Sequence, residues 1–221
     1  MAISKKRFGF QGLLASLLLL ILLPGFLGPN YADIIPILFA LLMIACLYLV
    51  ATEKKYLTIG LVLAVPALIT HWSFGLLPET ARLTINSVLQ IAFLSYVCGH
   101  IYTYLFTARK IVSDVIFAAL CLYFLLGIVW TFAYFLIEIN SPGAISLVSE
   151  LGSAATNPRD LLRDILYFSF VTITTLGYGD ITPVSRLAQS LAIIQAFVGQ
   201  IYIAIVIARL VAMQLAAELR N

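Results

Sequence analysis

The sequence predicts an all-α membrane protein with six spanning helices and a shorter re-entrant helix between the fifth and the sixth. Three observations predict it. Of 221 residues, 62% are hydrophobic and only 10% charged, with a mean hydropathy of +1.07, whereas an ordinary soluble domain is about a quarter charged and about half apolar or less. The apolar residues fall in runs of roughly twenty, the length that crosses a bilayer as a helix. The few charges fall between those runs. A soluble fold is thereby excluded, and 13 Gly, 8 Pro and 3 Cys without a long polar stretch exclude collagen-like, disulfide-stapled and disordered chains.

Taken in order, the first three runs are Phe10 to Leu27, Tyr31 to Thr52 and Leu57 to Leu77, with Pro24, Pro36 and Pro66 inside them as kink points. His71, near the end of the third, reads as interfacial. The fourth, Leu83 to Phe106, holds no Lys or Arg, with Arg82 and Arg109 only flanking it. At the helical period Asn86, Gln90, His100 and Tyr104 share one stripe of it. Such a stripe serves hydrogen bonding between helices; the sharper alternative is that His100 titrates near neutral pH and biases activity. Cys46, Cys98 and Cys121 sit in apolar runs without CxxC spacing and read as small buried hydrophobes rather than metal ligands or a disulfide frame. The fifth run is Val115 to Ile137, followed by a polar loop from Glu138 to Asn157. Asn157-Pro158 then reads as a helix start, with Asn157 as N-cap, Pro158 first in the helix and Asp160 in its first turn. That helix, apolar from Leu161 to Thr174, is too short to span and is tolerated only where protein or water surrounds it. The sixth run is Leu187 to Leu210.

Six crossings place both termini on one side, and the charges say which. The terminal side carries nine basic residues against three acidic ones, a net +6, and the other side four against seven, a net −3. By the positive-inside rule the termini are cytoplasmic, in a multi-pass protein of the cell membrane. Lys54, Lys55, Arg109 and Lys110 cluster on that face, where anionic membrane lipids can bind. Lys5-Lys6-Arg7 before an apolar run imitates a secretory signal, but no small-residue cleavage pattern follows.

Between the re-entrant helix and the sixth span lies Thr174-Thr175-Leu176-Gly177-Tyr178-Gly179-Asp180. Alternating glycines admit backbone conformations closed to other residues, so successive carbonyls can turn toward one side. At membrane depth, carbonyls without partners are costly unless something positive occupies the space before them. A dehydrated cation meets that need.

Thr175-Leu176-Gly177-Tyr178-Gly179 resembles the selectivity-filter signature of potassium channels, with Leu176 where the commonest version has Val. The resemblance extends from Asn157 to about Leu215. It implies that the carbonyls of Thr175, Leu176, Gly177 and Tyr178, with the Thr175 hydroxyl, bind K+ as the permeant ion, Gly179 completing the filter. Four copies surround one ion, so a homotetramer is implied. Thr174, Tyr167 and Asp180 would support the filter, the last two through a hydrogen bond, and Tyr167 and Phe168 fall where the family places aromatic residues. Some members carry a buried Glu partner for the aspartate where this chain has Val171. Retention of Tyr178 and Gly179 points to potassium over a non-selective cation filter.

On the sixth span Ala192, Ala196 and Gly199 allow close helix contacts. Gly199 coincides with the family's hinge or is a packing glycine. Gln200, Ile203, Ile207, Val211 and Leu215 lie near one face. That face either packs on neighbours or turns Gln200 to a water-filled cavity and the apolar residues to a dewetting gate. Without basic residues in span four the channel is expected not to be strongly voltage-gated. Residues 1–110 read as a four-helix domain resembling a voltage sensor without its arginines, and 111–221 as a pore domain. Little chain follows the sixth span, so gating by a ligand-sensing domain would need a separate protein. The rival classes are a secondary transporter, which would place ionisable residues in its spans, and a non-conducting scaffold. No Gly-x-Ser-x-Gly or His-Glu-x-x-His motif is present, so an enzyme is not expected. Neither a cofactor nor a nucleic-acid partner is expected.

Overall fold

The computed structural model describes residues 2–26, 34–51, 54–72, 78–108, 113–147 and 158–218. Along them run α1 (Ala2–Phe26), α2 (Ile35–Val50), α3 (Lys54–Trp72), α4 (Glu79–Thr107), α5 (Ser113–Asn140), β1 (Ile145–Leu147), α6 (Pro158–Ile173), β2 (Ile181–Pro183) and α7 (Arg186–Glu218). The architecture is all-α but for a short antiparallel ladder in which Ile145, Ser146 and Leu147 pair with Pro183, Thr182 and Ile181.

Local chemistry sets the helix ends. Pro36 sits in the first turn of α2 and Pro158 opens α6, positions where a missing N–H breaks no helical bond. Asn157, expected to cap α6, lies outside the described residues. Glu79 and Asp160 occupy the first turns of α4 and α6, where a carboxylate favours the helix dipole. Pro66 lies inside α3, and its carbonyl accepts the Thr70 hydroxyl at 2.9 Å.

Two expectations need correction. First, α4 begins at Glu79, so Arg82 belongs to its first turn rather than flanking it. The helix dipole and the 3.8 Å contact from Arg82 to Glu79 explain the earlier start. Second, the stretch after the fifth run is not all loop: Glu138 to Asn140 finish α5 and Ile145 to Leu147 form β1, while 148–157 lie outside the described residues. Among the described residues three helices are long and apolar enough to cross a membrane: α4, α5 and Arg186–Leu215 of α7. The apolar parts of α1 and α2, Gly9–Leu23 and Ile35–Val50, are shorter; sixteen residues reach only about 24 Å, against a hydrocarbon core of about 30 Å.

One apolar core joins α1, α2, α4 and α5 through Leu13, Leu42, Phe93, Ile101, Leu125 and Ile128. A second cluster, with Tyr134, Phe135, Ile145, Ile165, Phe168 and Ala188, fixes α6 between α5, β1 and α7. The polar stripe of α4 reaches three helices. Asn86 Nδ2 donates to the Ala67 carbonyl and the Thr70 hydroxyl of α3, Gln90 Nε2 to the Met43 sulfur of α2 at 3.6 Å, and the Tyr104 ring lies 5.1 Å from Phe10 of α1. His100 lies against Tyr56, ring centres 5.4 Å apart. The three cysteines are buried free thiols. The His71 side chain is outside the described set.

Candidate functional site

The segment after α6 is built by its backbone. The N–H of Thr175 donates to the Thr172 carbonyl at 3.0 Å, and those of Leu176 and Gly177 both donate to the Val171 carbonyl, at 2.9 and 3.4 Å. In a trans peptide the N–H and the preceding C=O point in opposite directions. With the amides of 175, 176 and 177 turned toward α6, the carbonyls of Thr174, Thr175 and Leu176 turn away from it. Thr175, Gly177 and Gly179 have φ of +58°, +59° and +81°, while Leu176 and Tyr178 between them do not enter the positive region. That alternation breaks the side-to-side pattern of an extended strand, in which neighbouring residues face opposite ways. Glycine adopts the left-handed values freely; Thr175 is held there by the surrounding bonds. Leu176 and Tyr178 are exposed, so their side chains contribute little packing within one chain.

Side chains brace both ends of this segment. Thr174 Oγ1 donates to the Phe170 carbonyl at 2.7 Å, and Gln200 Nε2 donates to Thr175 Oγ1 at 3.0 Å, tying α7 to the start of the segment. Beyond Gly179, the Tyr167 hydroxyl donates to Asp180 Oδ2 at 2.6 Å while Asp180 Oδ1 accepts the Ile181 N–H at 3.0 Å. The Tyr167 bond, with the Ile181 amide, holds the Asp180 carboxyl below its ordinary 3.8, and the same bond pushes the Tyr167 phenol up to about 12. Val171 supplies no carboxyl partner here; its carbonyl instead anchors the two amides.

Behind the segment lies a fully bonded polar network that sequence reading missed. The Tyr134 hydroxyl donates to Gln195 Oε1 at 2.8 Å, Gln195 Nε2 donates to the Ser169 carbonyl and hydroxyl, and Ser169 Oγ donates to the Gly127 carbonyl at 2.7 Å. All four residues are buried. The available signal was Gln195 itself, an amide in an apolar run that must find a partner. Glu138, 8% exposed, accepts the N–H groups of Gly143 and Ile145 at 2.7 and 2.8 Å. Because β1 pairs with β2, this carboxylate ties the end of α5 to the strand leaving the segment.

On α7, Gly199 is a packing position: a Cβ there would meet the Ile173 carbonyl oxygen, and the helix runs through it unbroken. That same carbonyl accepts the Tyr123 hydroxyl at 3.1 Å. Ile203, Ile207, Val211 and Leu215 are exposed within one chain. Arg209, one of the nine basic residues of the terminal side, donates from Nη2 to the Phe106 and Ala108 carbonyls at 2.8 and 2.9 Å, with its guanidinium 5.0 Å from the Phe106 ring. It thus holds α7 to the carbonyl end of α4.

Residues 115–215, which contain the Thr174–Asp180 segment and the side chains that brace it, match the family model described as Ion channel, and the match supports an ion channel. Among curated proteins the chain is similar to Protein LctB of Bacillus caldotenax, 35% identical over 78 residues, 35% of this chain and 56% of that protein. It is also similar to Protein LctB of Geobacillus stearothermophilus, 35% identical over 80 residues, 36% of this chain and 59% of that one. The chain therefore spans little more than half the length of the curated relatives it matches. No solved structure matches.

Proposed function

We propose that the chain is the subunit of a passive, potassium-selective channel of the cell membrane, not an enzyme. Six helices cross, both termini are cytoplasmic, and four copies form the pore. K+ passes dehydrated along the carbonyls of Thr175, Leu176, Gly177 and Tyr178, which replace its water. The observation that carries this reading is the alternation of backbone sign from Thr175 to Gly179 combined with the amides of Thr175, Leu176 and Gly177 turned toward α6, which turns the Thr175 and Leu176 carbonyls away from that helix. Tyr167, Asp180 and Thr174 hold the frame. Gln200 stands at the inner entrance, and Ile203, Ile207, Val211 and Leu215 line the path below it. The positively charged inner face and negative outer face, net +6 and −3 by the sequence topology, concentrate cations at the outer entrance. With Arg82 the single Arg or Lys of α4, and in its first turn, conduction does not depend steeply on voltage.

The test is flux from liposomes containing the purified protein. K+ efflux well above Na+ efflux, abolished in Gly177→Val, supports the reading. Equal K+ and Na+ rates would make it a non-selective cation channel, and flux indifferent to Gly177 would overturn a filter at this segment.

A further inference from the structure

Helix α6 closes on a left-handed residue. The Leu176 N–H donates back to the Val171 carbonyl and the Thr175 N–H to the Thr172 carbonyl, the pair of bonds that ends a helix where one residue, here Thr175 with φ +58°, takes the left-handed form. Glycine or asparagine is usual at that position, because the Cβ of other residues crowds there and a branched side chain crowds most. A residue kept in a costly conformation is held by its surroundings. Both helix-ending bonds are made by backbone and would hold a glycine as well. What a glycine lacks is the hydroxyl, and the Thr175 oxygen accepts Gln200 Nε2 of α7 at 3.0 Å. The neighbouring threonines behave differently: the Thr172 and Thr174 hydroxyls donate to the Phe168 and Phe170 carbonyls of their own helix, at 2.8 and 2.7 Å. Gly199, one residue before Gln200, makes the reach possible, since a Cβ there would strike the Ile173 carbonyl oxygen and hold α7 away.

We propose that Gln200 is a specificity-determining residue that acts through Thr175, holding its hydroxyl and with it the left-handed backbone on which the direction of the Thr174 and Thr175 carbonyls depends. The inference rests on the channel reading. Were Thr175 to relax into the right-handed region, the peptide planes on both sides of it would turn, and the innermost ion site would lose its fixed set of oxygens. One bond from α7 thus sets how well that site tells K+ from Na+.

The experiment compares K+ and Na+ efflux from liposomes holding the whole chain. With the wild type passing K+ well above Na+, Gln200→Leu should lower the ratio about three- to tenfold, the range set by one neutral hydrogen bond. Gln200→Asn, one methylene shorter, keeps an amide that falls short of Thr175 and should lower the ratio alike, so the test survives if either variant fails to fold. Thr175→Ser keeps the hydroxyl and should keep the ratio. Thr175→Val keeps the shape without the hydroxyl and should lower the ratio at least as far as Gln200→Leu. Adding Gln200→Leu to Thr175→Val should change nothing further, because no hydroxyl is left to hold. A selective wild type whose ratio is unmoved by Gln200→Leu and Gln200→Asn would overturn this inference and leave the channel reading standing. So would a Gln200→Leu effect that persists in full beside Thr175→Val. A wild type that passes K+ and Na+ equally would defeat the potassium-selective reading itself, and this inference with it.

Discussion

The helices α5 and α7 are both long and apolar enough to span, yet 56% of the most apolar stretch of α5 is buried against 11% of that of α7. The first is enclosed by its own chain on nearly every side: α1, α4, α6 and α7 all pack on it. The second touches its own chain along a narrow stripe, Ala188, Gln195, Gly199 and Val206, all buried and spaced by seven and four residues. Around that stripe Phe197 is 65% exposed, Ile193 60% and Ile207 56%. Hydrophobicity alone does not tell a helix finished within its subunit from one that still lacks neighbours. Burial in the single chain does, and it supports the proposal that α7 meets other copies and lipid.

The sharpest way to break this comparison is to truncate one residue on each helix. Leu125→Ala in α5 removes a fully buried side chain and should cost about 2–5 kcal/mol in unfolding of the monomer held apart in detergent. Ile193→Ala in α7 should cost well under about 1 kcal/mol there and instead lower the fraction running at four times the 24.3 kDa chain mass. Equal monomer costs would erase the distinction. Next in size, Gly199→Val drives a side chain into a backbone carbonyl on the stripe and should cost about 1–3 kcal/mol, read as a lower unfolding midpoint. Tyr134→Phe leaves Gln195 Oε1 buried without its donor, worth about 1–2 kcal/mol, and a double-mutant cycle with Ser169→Ala should show coupling through Gln195.

The smallest effect is expected from pH. Asp180, with its folded pKa depressed, contributes stability present above 3.8 and lost as pH falls through its lower folded value. Tyr167, with its folded pKa raised, contributes stability present below 10.0 and lost as pH rises toward about 12. Thermal stability should therefore stay flat from about pH 5 to about pH 9 in this respect. Tyr167→Phe should flatten the acid limb as well, which thermal scans across pH would detect.

The order and type of the helices were legible from runs of apolar residues, because a membrane span imposes its length on the sequence. The turn of backbone from Thr175 to Gly179 was legible because its glycines and its position after a short helix are local features. The roles of Glu138, Gln195 and Arg209 were not. Each is a single polar residue whose partner, an amide, a serine or a helix-end carbonyl, lies on another element tens of residues away, and spacing along the chain carries no trace of it. Gln200 sits between these cases: its face was readable, its bond to Thr175 was not.

The meeting of Gly199 with the Ile173 carbonyl has a mechanical side. Most contacts between membrane helices are cushioned by side chains, which take up small displacements by hopping between rotamers within picoseconds to nanoseconds. Backbone resting on backbone has no such cushion. At that point α6 and α7 form a stiff joint, so a tilt of α7 is transmitted to the start of the Thr174–Asp180 segment undiminished, while a few residues to either side the same tilt would be absorbed.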